Sequence, residues 1–212
     1  MQTESAPIDI LAEQAGVDNP KTCLNLLFVP RMKFTSKVIT APHVVRDGHA
    51  DGGARRFLFL DWGVAKSDED AQALAQAYGP LLLPVVEAFG LEVVLTGAGR
   101  LSMPLALCAS QYGVLAPHVV GVTPRLRRVV SRGQREAEIL AFIDALGLDE
   151  AQVAWVAVDA SVYGYVTRRA HFFGIRRERG LQAEDMDSLR RRVSRMVVQA
   201  KVAAVHPQRL RA

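Results

Sequence analysis

The sequence predicts an α/β domain: a mostly parallel sheet with helices on both faces, preceded by an N-terminal extension. Two observations carry this. Short, mostly apolar runs without polar alternation recur at Arg56–Leu60 (RFLFL), Leu91–Leu95 (LEVVL) and Val153–Val158 (VAWVAV), the signature of strands buried on both faces. Between them lie stretches whose apolar residues repeat every three to four positions, as amphipathic helices require. A third observation limits the alternatives. No wholly apolar stretch approaches the roughly 18 residues that span a bilayer, and residues Met1–Asp9 lack the apolar core of a secretion signal. The expectation is a protein without membrane spans, cytoplasmic in location. With 212 residues the chain can bury a core unaided, and Cys23 and Cys108 are too few for a disulfide scaffold or a four-cysteine zinc site.

Taken in order, residues 1–54 read as an extension of unassigned role. Asp18-Asn19-Pro20 and Arg46-Asp47-Gly48 are turn signals, Leu24–Val29 and Lys37–Val45 read as strands, and Asp47–Ala54 reads as a glycine-rich loop. Residues 55–205 form the α/β domain and 206–212 a tail. Asp68–Phe89 has a helical pattern, with Gly79-Pro80 and Pro84 expected to break or kink it. Leu101–Tyr112 reads as a helix and Val119–Val122 as a strand. In Gly133–Leu146, Ile139, Phe142, Ile143 and Leu146 share a face while Glu136, Glu138 and Asp144 fall elsewhere, and Gly147 supplies a C′ stop. Ala170–Ile175 is a further apolar run. Ala183–Ala204 is the longest helix, with acids in its first turn, where the helix dipole favours them.

Charge is uneven. The net +4 divides into +8 over residues 165–212 and −4 over residues 1–164. Arginines 190–192 and 195 on the last helix read as a solvated polar face rather than a nucleic-acid surface. A second basic cluster comprises Arg125, Arg127, Arg128, Arg132 and Arg135; its stretch Arg125–Arg128 falls in an expected loop suited to phosphate recognition, and Arg135 reads equally as part of a solvated helix face. The five histidines are scattered, and Gly97-Ala98-Gly99 lacks the third glycine of a dinucleotide fingerprint.

Three of the buried strands end in a polar residue: Asp61, Thr96 and Asp159. In an open α/β sheet the ligand crevice lies beyond the carboxyl ends of the strands, so these side chains are expected to converge. Their order resembles the haloacid dehalogenase (HAD) superfamily, which is Rossmann-like, and most of all a bacterial HAD-domain group. The matching segments are FLFLDWGV (Phe57–Val64), VVLTGAGR (Val93–Arg100), GVTPRL (Gly121–Leu126), REAEI (Arg135–Ile139), WVAVDAS (Trp155–Ser161) and RGLQAEDMDSLRRRV (Arg179–Val193). The resemblance implies that Asp61 is the nucleophile that attacks phosphorus. It makes Thr96 the hydroxyl that bonds the transferred phosphoryl and Arg135 the neutralising cation, with Arg132 as its competitor. Asp61 and Asp159 would hold Mg²⁺, and Arg100 and Arg125 would bind substrate.

This chain also departs from the pattern. Where the family carries a second Asp two residues after the nucleophile, the chain has Gly63. Where the late motif pairs its acids, Asp159 is followed by Ala160 and Ser161. Positioned acid–base catalysis is worth about 10²–10⁴-fold. The resemblance therefore implies a phosphohydrolase-derived domain whose active site is impaired or altered, with a phosphorylated small molecule or nucleic-acid end as partner. The rival reading is a non-catalytic module whose basic surfaces contact an acidic partner or nucleic acid. A third is an oligomer-forming scaffold.

Overall fold

The computed structural model describes residues 38–40, 43–44, 55–61, 68–101, 103–127, 132–176 and 179–205. The strand expected at Leu24–Val29, the loop Asp47–Ala54, Gly63, Arg128 and the tail 206–212 lie outside the described residues. The two short runs β1 (Val38–Thr40) and β2 (His43–Val44) precede β3 (Arg56–Asp61), α1 (Asp68–Phe89), β4 (Glu92–Thr96), α2 (Leu105–Ser110), β5 (Val119–Val122) and β6 (Arg125–Leu126). The chain continues with α3 (Gln134–Ala145), β7 (Ala154–Asp159), β8 (Phe172–Gly174) and α4 (Met186–Val205).

The main sheet has the order β2-β5-β4-β3-β7-β8. Its neighbours from β5 to β8 are parallel, and β2 joins β5 antiparallel at the edge. After β3 the chain first moves to one side, through β4 and β5, and later returns to the other side as β7. The order therefore switches at β3, and the crevice at such a switch is where α/β sheets bind ligands. Separately, β1 pairs antiparallel with β6.

The alternation of strand side chains divides the core. Leu58, Leu60, Val93, Leu95, Val156 and Val158 face α1, α2 and α4, burying Leu82, Val85, Val86, Leu189, Val193 and Met196. Phe57, Phe59, Val94, Trp155 and Ala157 face the other way, onto Ile139, Phe142 and Ile143 of α3. There Phe142 meets Phe57 and Phe59 edge-on with centroids 5.8 Å apart in each pair, an arrangement favoured by the aromatic quadrupole.

Three elements differ from expectation. Despite Pro80 and Pro84, α1 runs from Asp68 to Phe89 without the break that was one of the two expected outcomes. Both prolines are exposed, so the carbonyls left without an N–H partner one turn earlier face water, which satisfies them. The helix expected over Leu101–Tyr112 is confined to Leu105–Ser110, after a 3₁₀ turn at Ala98–Leu101. Pro104 sets this start, because the residue before a proline is disfavoured in the helical region. Arg125–Leu126, expected as loop, pairs as a strand. The stop at Gly147 is as read: its φ is +69°, and its N–H closes onto the Asp144 carbonyl at 2.9 Å.

Candidate functional site

Side-chain parity fixes the direction of the strand-end residues. Asp61 follows Phe57 and Phe59 by even steps, Thr96 follows Val94, and Asp159 follows Trp155 and Ala157. All three therefore project to the α3 side of the sheet. Register places them level. Asp61 stands opposite Thr96, and Leu60 opposite Val158 puts Asp61 beside Asp159. Residues up to about a hundred positions apart thus meet at the carboxyl edge of β3, β4 and β7.

The cation between them comes from the first turn of α3. The Arg135 guanidinium lies 3.6 Å from an Asp61 oxygen through Nη2 and 3.7 Å from Asp159 Oδ2 through Nε. A third contact, Nη1 to Glu138 Oε2 at 3.3 Å, ties it to its own helix. The turn Val162–Gly164, just past β7, fixes the arginine from outside. A Cβ on Gly164 would lie 2.8 Å from Arg135 Cγ, so only glycine lets the turn approach this closely. Arg132, the competitor, is exposed. Its guanidinium carbon lies over the Tyr163 ring, 5.8 Å from the centroid, and it makes none of the ion pairs that Arg135 makes.

Asp159 has no solvent exposure, while Asp61 is 7% exposed. Asp159 Oδ1 accepts the Ser161 N–H at 2.7 Å, and Oδ2 accepts the Tyr165 hydroxyl at 3.2 Å. Burial first, then the neighbouring charge of Asp61, pushes the Asp159 carboxyl up to about 7. The Ser161 N–H and Arg135 pull in the opposite direction without cancelling this rise. Burial and the adjacent carboxylate thus outweigh Arg135 and the Ser161 N–H at Asp159. Thr96 is buried, and its hydroxyl is 3.4 Å from that of Thr123.

The residues expected to bind substrate sit in different surroundings. Arg100 is buried and spends its donors within the protein. It reaches the carbonyls of Thr123 (2.9 Å), Pro124 (2.8 Å) and Gly97, and Glu138 Oε2 at 2.9 Å. It joins the segments after β4 and β5 to α3. Burial lowers its pKa to about 10, with Glu138 opposing, so it stays charged at neutral pH. Arg125 is exposed on β6, the residue after Pro124, at the same end of the sheet.

Glu136 and Glu138, which the helix pattern left without a role, are both buried. Glu138 accepts from Arg100, Arg135 and, at 3.0 Å, Gln134 Nε2. Glu136 accepts the backbone N–H groups of Val166 (2.8 Å), Thr167 (3.0 Å) and Arg168 (3.1 Å), plus the Thr167 hydroxyl. Burial raises its pKa, but these hydrogen bonds prevail and hold it below the usual carboxylate range. It anchors the loop that follows Tyr165. Their spacing of two residues at the start of a helix resembles any charged helix face, so only Arg135 just before them hinted at these partners. Tyr165, the third residue missed, lies in no motif.

Among the described residues no cluster of three or more His, Cys, Asp or Glu is placed to hold a metal ion. Two carboxylates are nonetheless the protein share that Mg²⁺ ordinarily takes, with water and substrate phosphate completing its shell. Asp61 and Asp159, adjacent carboxylates at the edge of the sheet, fit that donor set. No helix of the described residues is long and apolar enough to cross a membrane.

A family model described as "HAD domain in Swiss Army Knife RNA repair proteins" matches residues 58–186, which include Asp61, Thr96, Arg135 and Asp159. No curated protein matches the chain, and no solved structure matches it.

Proposed function

Because the chain belongs to the family of HAD domains found in Swiss Army Knife RNA repair proteins, we propose that it binds a phosphorylated RNA end and acts on it through an altered, Asp61-centred hydrolase site. The observation that carries this reading is the Asp61–Arg135–Asp159 arrangement at the switch point of the sheet, with Arg135 within 3.6 and 3.7 Å of the two carboxylates. Phosphoryl transfer is mainly positioning and charge neutralisation, and this is a cation held among buried groups where a phosphate would arrive.

In the proposed reaction an Asp61 carboxylate oxygen attacks phosphorus. The bond from phosphorus to the leaving oxygen breaks as the bond to Asp61 forms. The RNA hydroxyl departs with a proton from water, and water then cleaves the aspartyl phosphate to release phosphate. Arg135 offsets the charge on both carboxylates and on the incoming phosphoryl group, and Thr96 donates a hydroxyl hydrogen bond to it. Asp61 and Asp159 would hold Mg²⁺, which would supply further neutralisation of the phosphate charge. Arg100 and Glu138 hold the frame in which Arg135 sits.

Gly63 favours a second reading. Without an aspartate there, leaving-group protonation falls to water, and the loss of about 10²–10⁴-fold leaves a domain that binds an RNA phosphate more effectively than it cleaves one. One experiment separates the two: hydrolysis of a generic phosphate monoester with and without Mg²⁺, by wild type and by Asp61→Asn. Slow turnover that falls by at least about a thousandfold in the variant supports hydrolysis. Turnover absent from both leaves the binding reading, and turnover equal in both removes Asp61 as nucleophile.

A further inference from the structure

Tyr163 is 68% exposed, beside Val162 and Val166, which are also largely exposed. Large apolar side chains left in water singly are ordinary; three within five positions on a turn that touches the site are not. The turn is held firmly. The Gly133 N–H donates to the Tyr163 carbonyl at 2.9 Å, Tyr165 bonds Asp159, and Glu136 ties down residues 166–168. Tyr163 is therefore an exposed ring on a fixed backbone. The close approach of Gly164 to Arg135 brings the Tyr163 Cα within about 8 Å of the Arg135 side chain, and the Arg132 guanidinium lies over the tyrosine ring.

We propose that Tyr163 and Arg132 form a stacking platform for the terminal base of a single RNA strand whose end phosphate lies at Arg135. This rests on the preceding reading that the site takes an RNA phosphate, and it adds how the nucleoside is held. An aromatic face accepts any base, and a guanidinium stacked on it contributes both a second planar surface and positive charge. The separation suits one nucleotide: the phosphate at the strand edge and its own base on the turn. Burial of Asp159 and near-burial of Asp61 restrict the reacting position to a phosphate at an end, since a continuous strand would have to thread the crevice. Arg125 and Arg127, exposed at the same end of the sheet, have the charge to meet the next phosphates. The platform needs no particular base, and a repair domain for broken ends would have to be indifferent to sequence.

The test is binding, with turnover suppressed by a chelator, of fluorescein-labelled pentaribonucleotides carrying a 5′-phosphate, a 3′-phosphate or neither. The label is at the opposite end in each phosphorylated strand. One of the phosphorylated ends is expected to bind more tightly than the unphosphorylated strand. Tyr163→Ala should weaken that binding about tenfold with an unchanged salt dependence, and Tyr163→Phe should stay within about twofold of wild type. Arg132→Ala should also reduce the salt slope by about one. A strand whose terminal nucleotide is abasic should bind about as weakly as Tyr163→Ala, and that variant should lose nothing further with it. Tyr163→Ala binding like wild type would overturn the platform, as would independent losses from the variant and the abasic end. Phosphorylated ends that bind no better than unphosphorylated ones would remove the placement of the phosphate at Arg135. Because binding is read without turnover, a failure of hydrolysis at Asp61 and a failure of the platform give different results.

Discussion

Arg100 and Arg135 lie on the α3 side of the sheet, and Arg190, Arg191 and Arg195 lie on α4 on the opposite side, yet the two groups of arginine do different work. On the α3 side each guanidinium is surrounded. Arg100 meets three carbonyls and Glu138, and Arg135, 21% exposed, meets Asp61, Glu138 and Asp159. On α4 the three arginines are exposed, and the helix is held by the apolar stripe Leu189, Val193, Met196 and Val197 against the sheet. Only Arg192 turns inward there, donating to the carbonyls of Ala170 at 3.0 Å and Phe172. The charge excess of the C-terminal segment is thus largely solvated. Two arginines of the acidic-leaning body, Arg100 and Arg135, by contrast organise the candidate site. Total charge was a poor guide to function because a charge acts strongly only where water cannot screen it.

Substitutions sharpen this contrast. The largest effect should come from Arg100→Met, which takes from buried Glu138 its closer cation and leaves the Thr123, Pro124 and Gly97 carbonyls without their donor. A loss of about 3–5 kcal/mol is expected in urea unfolding, partly recovered by adding Glu138→Gln. If the single variant unfolds like wild type, the buried frame is not what holds α3. Next, Gly164→Ala should displace Arg135 without touching a charge. Turnover, where present, should fall up to about a hundredfold, and the melting temperature should fall as well, because the clash is with Cγ and Cβ at the root of the Arg135 side chain and the turn or α3 must give.

The pH response is a subtler probe. A carboxyl whose folded-state pKa is raised stabilises the fold while protonated. For Asp159 that contribution is complete below the unfolded value of 3.8 and is lost as pH rises through about 7. Thermal melts should therefore show stability declining between about pH 4 and pH 7 in wild type and a flatter profile in Asp159→Asn. Mg²⁺ should restore stability at the upper end in wild type but not in the variant; equal restoration in both would place the ion elsewhere. The smallest effect belongs to the other side of the sheet. Arg190→Ala and Arg191→Ala should each change stability by less than about 0.5 kcal/mol, and a larger change would mean that α4 depends on its charged face.

Much of this architecture was legible in the chain. Uninterrupted apolar runs announced buried strands, and the polar residue ending each of three runs marked the edge where Asp61, Thr96 and Asp159 meet. That all three share one face came from the register and from which strand residues pack on α3. The sequence was less informative about the helices around Pro80 and Pro104. The two prolines carry the same local penalty but differ in outcome: Pro80 lies exposed inside α1, whereas Pro104 stands where α2 begins. The roles of Glu136, Glu138, Arg100 and Tyr165 were least legible.

The sequence by itself determined the class of fold, the strand ends and the missing acids at Gly63 and Ala160, because these follow from periodicity and from motif order along one chain. Only the tertiary structure decided which arginine stands between the carboxylates, which is a strut and which is solvated. Those outcomes depend on what lies within a few ångströms from other segments, and on how much water remains between charges. Arg135 and Arg132 are three residues apart in sequence. One is wedged between Gly164 and two carboxylates and the other lies on an exposed ring, a distinction made by the turn Val162–Gly164 packing onto the start of α3.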